Sequence, residues 1–222
     1  ELKQECIDLV EEFDKIEGMP LIKLPKTSAS GELSMRRPIK KKFCERSIAM
    51  GRCIDVIDSP AEEVCAFLYS FCSRERMRIS KEERHPARLS FEDDGTQQLV
   101  ATIKSTPWPL RNREFVTRLF WWKDDDTGAY YVANVSVGSS IDYGLSLKTV
   151  RGYTINLTKL EPFGEVGEDG RNLQCQMTYT QKLDAGGYIP SFVVNTLVPS
   201  SINRRDVIVP FKRDHEVDAV AI

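Results

Sequence analysis

Apolar positions recur at helical spacing from the first residues: Leu2, Ile7, Leu9, Val10, Phe13 and Ile16 stand among acids and lysines and are followed by Gly18 and Pro20. That pattern predicts an amphipathic N-terminal helix over 2–17. Residues 19–38 hold three prolines and a Ser/Gly patch without periodicity, which predicts an extended loop. Phe43 to Ile57 is rich in apolar and β-branched residues around Gly51 and reads as two short strands or one bent one. Ser59, Pro60 and Glu62 then spell an N-cap, a first-turn proline and a capping box, with Val64, Phe67, Leu68 and Phe71 following at helical spacing. The charged stretch 73–86 predicts a short helix or an ordered loop.

From Ala87 to Leu183 the pattern changes to strands divided by turn sequences at Asp93-Asp94-Gly95, Asp124 to Gly128 and Glu168-Asp169-Gly170. In the last strand Leu173, Cys175, Met177, Tyr179 and Leu183 share one parity and Gln174, Gln176, Thr178, Thr180 and Lys182 the other, so one face is buried and one wet. Gln181 is the single polar residue of the inward set. Between Phe115 and Trp122 the parity of Phe115, Thr117, Leu119 and Trp121 suits the interior, because the other set contains Arg118.

Lys182 to Asn203 combines a strand end, the Gly186-Gly187 break, Pro190 and a mostly apolar helix. Ile189, Val193 and Leu197 cover one side of that helix and Val194, Val198 and Ile202 another, so it is buried on more than one side. Asn195, Thr196, Ser200 and Asn203 dilute the coat. This suits a helix laid across a curved sheet and partly facing a cavity, and a plain core helix equally well.

With 222 residues the chain fits one domain able to enclose a cavity. At 41% apolar, 29% charged and a formal net charge of −2 it has the composition of a soluble globular protein and lacks the basic balance of a nucleic-acid binder. No apolar run reaches membrane-span length and the N-terminus lacks signal-peptide form, so a cytoplasmic protein is expected. Beginning at Glu1, it is expected to be a segment of a longer protein. The six cysteines form no C-x-x-C pair and have no histidine at zinc-finger spacing, so they read as reduced thiols and no metal is expected. The histidines are only His85 and His215, and no nucleophile, metalloprotease, phosphate-loop or dinucleotide motif occurs. Neither a cofactor nor catalysis is expected.

Two segments carry a resemblance. Leu183-Asp-Ala-Gly-Gly-Tyr-Ile-Pro-Ser-Phe-Val-Val-Asn resembles the start of the C-terminal helix of START (StAR-related lipid-transfer) domains. Trp108-Pro-Leu-Arg-Asn-Arg-Glu-Phe-Val is similar to the family's W/F-P-x-x-x-R-D-hydrophobic-V segment, with Glu114 where Asp is usual. The resemblance implies an α+β helix-grip fold, a curved antiparallel sheet wrapped around a long C-terminal helix with an internal apolar cavity. Residues 1–222 would form a single domain, with an N-terminal helix at 1–18, a core at 39–206 and a tail at 207–222.

It implies non-enzymatic binding and intermembrane transfer of one lipid, a sterol or phospholipid. The rival is a lipid-sensing module regulating other domains of a longer protein, with a helix-grip enzyme third. The expected protein is a monomer, peripheral to membranes, with transient contact to their surface. The expected cavity wall comprises Thr102 with Phe115, Thr117, Leu119 and Trp121, then Asn134, Tyr153, Ile155, Met177, Tyr179 and Gln181, and on the C-terminal helix Phe192, Thr196, Val198 and Ile202. Of these, Thr102, Thr117, Asn134, Tyr153, Tyr179 and Gln181 are the candidates for hydrogen bonds to a ligand. Arg74, Arg76 and Arg78 lie where some phospholipid-binding relatives hold a headgroup, although a solvated face is favoured. The buried Glu–Arg pair of some sterol carriers is replaced by Val100 and Leu119, which leaves the ligand class open. The expected gate is the loop 138–148, with Ile141, Tyr143 and Leu145, against a helix kinked at Pro199. Trp108, held outward between Pro107 and Pro109, is the expected membrane contact, with Lys104, Arg111 and Arg113 beside it for anionic headgroups.

Overall fold

The N-terminal periodicity forms a helix, α1 (Leu2–Lys15), whose Cys6, Leu9 and Phe13 are buried against a sheet. The structure is a computed structural model that describes residues 1–17, 19–24, 32–36, 48–91, 94–144, 146–187, 189 and 202. Two strands, β1 (Leu21–Lys23) and β2 (Glu32–Arg36), replace the loop expected over 19–38. They precede the expected core start at residue 39 yet extend its sheet, with Met35 opposite Gly51 of β3 (Ile48–Ile57). A prolines-and-glycine composition hid them, because each strand is too short to show alternation. β3 is one strand.

Two helices follow, α2 (Ala61–Tyr69) and α3 (Arg74–Glu82). The expected capping box does not form: Pro60 takes the cap position, and the Ser59 hydroxyl donates to the Glu63 carboxylate at 3.1 Å. At α3 the Ser73 hydroxyl accepts from the Arg76 backbone N–H.

Seven strands follow among the described residues: β4 (Ala87–Phe91), β5 (Gln97–Lys104), β6 (Arg113–Lys123), β7 (Tyr130–Ser136), β8 (Val150–Arg151), β9 (Tyr153–Val166) and β10 (Asn172–Asp184). The sheet runs β1-β2-β3-β10-β9-β7-β6-β5-β4 with antiparallel neighbours, and β8 pairs in parallel with β6 off this path. Together with its helices this is the helix-grip fold.

Both faces of the sheet are covered. On the outer face α1 packs on Met50, Ala133, Val135, Ile155 and Leu157. It is tied down further by Arg52 to Asp14 at 2.7 Å, Lys182 to Glu12 at 2.6 Å and the Tyr153 hydroxyl donating to Glu5 at 2.9 Å. Such exposed pairs add little beyond the buried apolar area. On the inner face α2 seals Val100, Leu119, Val132, Leu160, Cys175 and Met177 into the main core. Burial pushes the thiols of Cys6, Cys65 and Cys175 up to about 12, so they stay protonated and unreactive.

Ile202, in helical conformation and 1% exposed, rests on the inner face over Gly51. The other residues of the expected C-terminal helix from Pro190 to Arg205 lie outside the described residues. A side chain at Gly51 would place its Cβ 2.3 Å from the Ile202 Cγ2. Gly51→Val, although it favours strand conformation, is therefore expected to lower stability by about 1–3 kcal/mol through overpacking. Urea denaturation checks this, and a midpoint equal to or above that of the unchanged protein would contradict the contact.

Candidate ligand-binding cavity

α2 covers only part of the concave face. Beyond it, toward the end of β5, the start of β6 and the end of β10, the sheet and α3 enclose a cavity of about 260 Å³. Its volume lies just below the roughly 300–1,000 Å³ of pockets for drug-sized ligands. The floor is built by strand alternation: Thr102 on β5, Phe115 and Thr117 on β6, Asn134 on β7, Thr154, Asn156 and Thr158 on β9, and Tyr179, Gln181 and Leu183 on β10. Phe67, Leu68 and Phe71 of the α2 region and Ile79 of α3 form an apolar wall.

Cross-strand register lines the floor's amides up, with Asn134 opposite Asn156 and Asn156 opposite Gln181. Thr117 Oγ1 donates to Asn134 Oδ1 at 3.2 Å, and Asn134 Nδ2 donates to Asn156 Oδ1 at 3.2 Å. Gln181 Nε2 donates to Thr154 Oγ1 at 3.1 Å, and Thr154 Oγ1 donates onward to the Lys182 carbonyl at 3.2 Å. These two runs of uncharged groups, one over β6, β7 and β9 and the other between β10 and β9, satisfy polar atoms that burial would otherwise penalise.

Among the described residues the cavity's charge is confined to the rim. An Arg76 N–H donates to the Leu68 carbonyl at 3.1 Å while the guanidinium lies 5.3 Å from the Phe67 ring centroid. Arg88 donates to the Phe71 carbonyl at 2.6 Å and stacks 3.8 Å from the Phe71 ring centroid. Lys104, Glu83 and His85 complete the rim. Burial, with Lys104 and Arg88 nearby, pushes the His85 imidazole down to about 4. The Glu83 carboxylate, 3.2 Å from Nδ1, opposes this, but Glu83 faces solvent and is screened, so burial and the two cations prevail.

The structure brings Thr102, Phe115, Thr117, Asn134, Tyr179 and Gln181 together in the cavity wall. Leu119 and Met177 share that face but lie sealed under α2. Trp121 also points inward, at the far end of the sheet, where with Tyr69, Gln98 and Tyr130 it lines a second cleft and donates to the Gly95 carbonyl at 2.9 Å. Tyr153 and Ile155 are corrected outright. They face outward beneath α1, so Thr154, Asn156 and Thr158 face the cavity. The sequence reading missed these three because apolar residues were assigned inward; the signal was the amphipathic α1, which needs an apolar strand face of its own.

Ile141 and Tyr143 of the expected gate also sit on the outer face, against Leu89, Leu99, Ala101 and Val116, with the Tyr143 hydroxyl donating to Glu114 at 2.8 Å. Phe192, Thr196, Val198, Leu145 and Pro199 lie outside the described residues. Arg78, rather than facing a headgroup, pairs with Glu75 and Glu82.

Lys104 lines the rim, Arg111 is exposed, and Arg113 is buried and donates to the Ala185 carbonyl at 2.8 Å, which fixes β6 to the end of β10 and keeps it from solvent. Between Lys104 and Arg113 the chain turns at the cavity's end. Thr106 Oγ1 donates to the Arg111 carbonyl at 2.8 Å, and the Leu110 N–H donates to the Pro107 carbonyl at 3.0 Å. This closed turn holds Trp108 outward, 93% exposed. Among the described residues no cluster of His, Cys, Asp or Glu suits a metal ion, and no helix is long and apolar enough to cross a membrane.

No protein-family model and no curated protein matches the chain. Solved structures do. Human STARD10 superposes with a TM-score of 0.66 at 18% identity over 97% of this chain and 82% of its own. The human StAR-related lipid transfer protein 5 gives 0.64 at 15%, covering 96% and 98%. The STAR-related lipid transfer protein of Xanthomonas axonopodis gives 0.64 at 19%, covering 88% and 99%. The chain therefore has the START-domain fold.

His85 generates a pH dependence. Its folded-state pKa, about 4, lies below the ordinary 6.5, so the unfolded chain binds the proton more readily. Its contribution is fully present above pH 6.5 and declines as pH falls through that value toward 4. The loss is on the order of 2 kcal/mol after allowance for solvent screening. Thermal denaturation across this window should fall less steeply for His85→Gln than for the unchanged protein, and parallel slopes would exclude a neutral, buried His85.

Proposed function

We propose that the chain binds a single lipid molecule in the cavity between the sheet, α2 and α3, and carries it between membranes without catalysis. The observation that carries this reading is an interior cavity on the concave face of a START-type sheet, with an apolar wall along α2 and hydrogen-bonding groups opposite. Such a wall gains on the order of 0.8 kcal/mol for each CH₂ it removes from water, while the polar groups orient what is bound. The START-fold neighbours human StAR-related lipid transfer protein 5 and its Xanthomonas axonopodis counterpart are both described as lipid transfer proteins, which supports the same reading.

Trp108 supports contact with a membrane surface. It sits in the turn at the cavity's end, with exposed Arg111 three residues on and Lys104 at the rim. Indole favours the membrane–water interface, and basic neighbours favour anionic headgroups. A lipid leaving by this end has a short path to the bilayer.

Native mass spectrometry of the purified protein, followed by extraction, is expected to reveal one bound lipid per chain, and labelled lipid is expected to move between vesicles. Trp108→Ala should weaken vesicle binding and slow transfer by about tenfold while leaving the melting temperature unchanged. If vesicle binding and transfer persisted undiminished, membrane docking through this turn would be wrong. If no lipid bound the unchanged protein, the function itself would be.

A further inference from the structure

We infer that the second cleft, on the other flank of α2 from the proposed lipid cavity, is a binding site of its own for a small organic cation, an amine carried on a flat apolar body. The cleft has a volume of about 670 Å³, within the roughly 300–1,000 Å³ of pockets for drug-sized ligands. Cys65, Ala66 and Tyr69 line it from α2, while Phe67 and Leu68 of the same helix line the cavity. The helix therefore lies between the two, and Phe71, just past its end, touches both. Aromatic rings dominate the cleft: Tyr69 and Phe71 come from the helix side, and Trp121 and Tyr130 from the sheet, stacked with ring centroids 6.4 Å apart. Gln98 in its wall is 4% exposed and fixed, with Nε2 donating to the Tyr69 carbonyl at 2.8 Å and Oε1 accepting from the Ser90 hydroxyl. The Trp121 indole N–H is taken up by the Gly95 carbonyl at 2.9 Å. What Trp121 offers a ligand is its ring.

The charge pattern selects the ligand's class. Among the described residues that line the cleft there is one acid, Glu62, and no lysine, arginine or histidine, whereas the cavity's rim carries Arg76, Arg88 and Lys104. Arg171 reaches the Glu62 carboxylate at 3.4 Å, but Glu63 at 3.4 Å and Asp169 at 2.6 Å share the same guanidinium. Three carboxylates around one guanidinium leave this side of the cleft negative. The turn that joins the strand of Trp121 to that of Tyr130 adds Asp124, Asp125 and Asp126. Lys123 Nζ, 5.3 Å from the Tyr130 ring centroid, shows that an aromatic face here already accepts a cation. A ring face attracts a cation through its quadrupole, a nearby carboxylate holds it, and surplus negative charge turns away a carboxylate or phosphate. An uncharged ligand of the same shape gains the apolar walls but not the field.

A matched series on one flat ring system tests this: naphthylmethylamine, an ammonium at neutral pH, with naphthylmethanol and naphthoate, titrated into the full chain. Binding is followed by calorimetry and by the indole and side-chain amide signals of isotopically labelled protein. The amine is expected to bind most tightly and naphthoate least, with the Trp121 indole and Gln98 amide signals shifting while those of Asn134 and Asn156 in the cavity stay in place. Trp121→Leu should weaken amine binding by about tenfold and the alcohol less. Glu62→Gln should reduce the amine's advantage over the alcohol by about threefold to fivefold with the alcohol unchanged, and it carries the test should Trp121→Leu not fold. The inference is overturned if naphthoate binds as tightly as the amine, if Glu62→Gln leaves the ratio of amine to alcohol affinity unaltered, or if the Asn134 and Asn156 signals move in place of those of Trp121 and Gln98. It is overturned equally if none of the three binds. Each of these outcomes leaves the lipid reading of the cavity standing.

Discussion

The strict alternation of side chains across a strand, applied to a sheet with a helix on each face, governs this molecule. On β9, Tyr153, Ile155 and Leu157 meet α1 on the outside, so Thr154, Asn156 and Thr158 must face inward. A shift of one residue would bury the threonines beneath an apolar helix and expose the isoleucine to the cavity. The polar floor is thus a consequence of where α1 packs. In the same way the apolar run of Leu119, Leu160 and Met177 on the inner face lies where α2 covers it.

That division produces a graded interior. Toward the far end Val100, Leu119 and Val132 are buried in the main core beneath α2. In the middle lies the uncharged amide and hydroxyl chain, and at the near end the guanidinium groups of Arg76 and Arg88 sit over phenylalanine rings. The arginines are held by backbone carbonyl groups, Arg76 by that of Leu68 in the last turn of α2, where helix termini leave carbonyls unbonded, and Arg88 by that of Phe71 in the turn just beyond. Their charge is therefore anchored to backbone at the rim and does not reach the floor.

Much of the fold was legible because its signals were local. The β10 alternation set Tyr179, Gln181 and Leu183 inward, the β6 parity did the same for Phe115 and Thr117, and the proline-flanked Trp108 was assigned to an exposed turn. The failures share one cause, since each needed knowledge of a partner far away in sequence. Whether Ile155 or Asn156 faces the cavity depends on α1, whose Glu5 lies 148 residues before Tyr153. Ile141 and Tyr143 look like gate residues beside serines and glycines, but Leu99 and Val116 supply an outer apolar patch for them. Arg113 looked like a surface cation because its acceptor, the Ala185 carbonyl, lies 72 residues away. Lone β-branched and aromatic residues carry no label for which face is covered.

The polar floor also changes what binding means energetically. A dry apolar cavity rewards any hydrocarbon of the right size. A polar-floored cavity of about 260 Å³ has room for roughly eight or nine waters at about 30 Å³ each. Water against Phe67 and Phe71 would find few partners, and replacing it with hydrocarbon would be favourable; water against Asn156 and Thr158 would be better bonded, and a ligand that displaced it would have to supply equivalent oxygens. On the proposed lipid-binding reading, tail burial would set how tightly a ligand is held and the floor would set which ligand it is. Removing a pair of hydrogen bonds costs discrimination far more than removing a methylene does, because the unmatched donors stay behind in the protein.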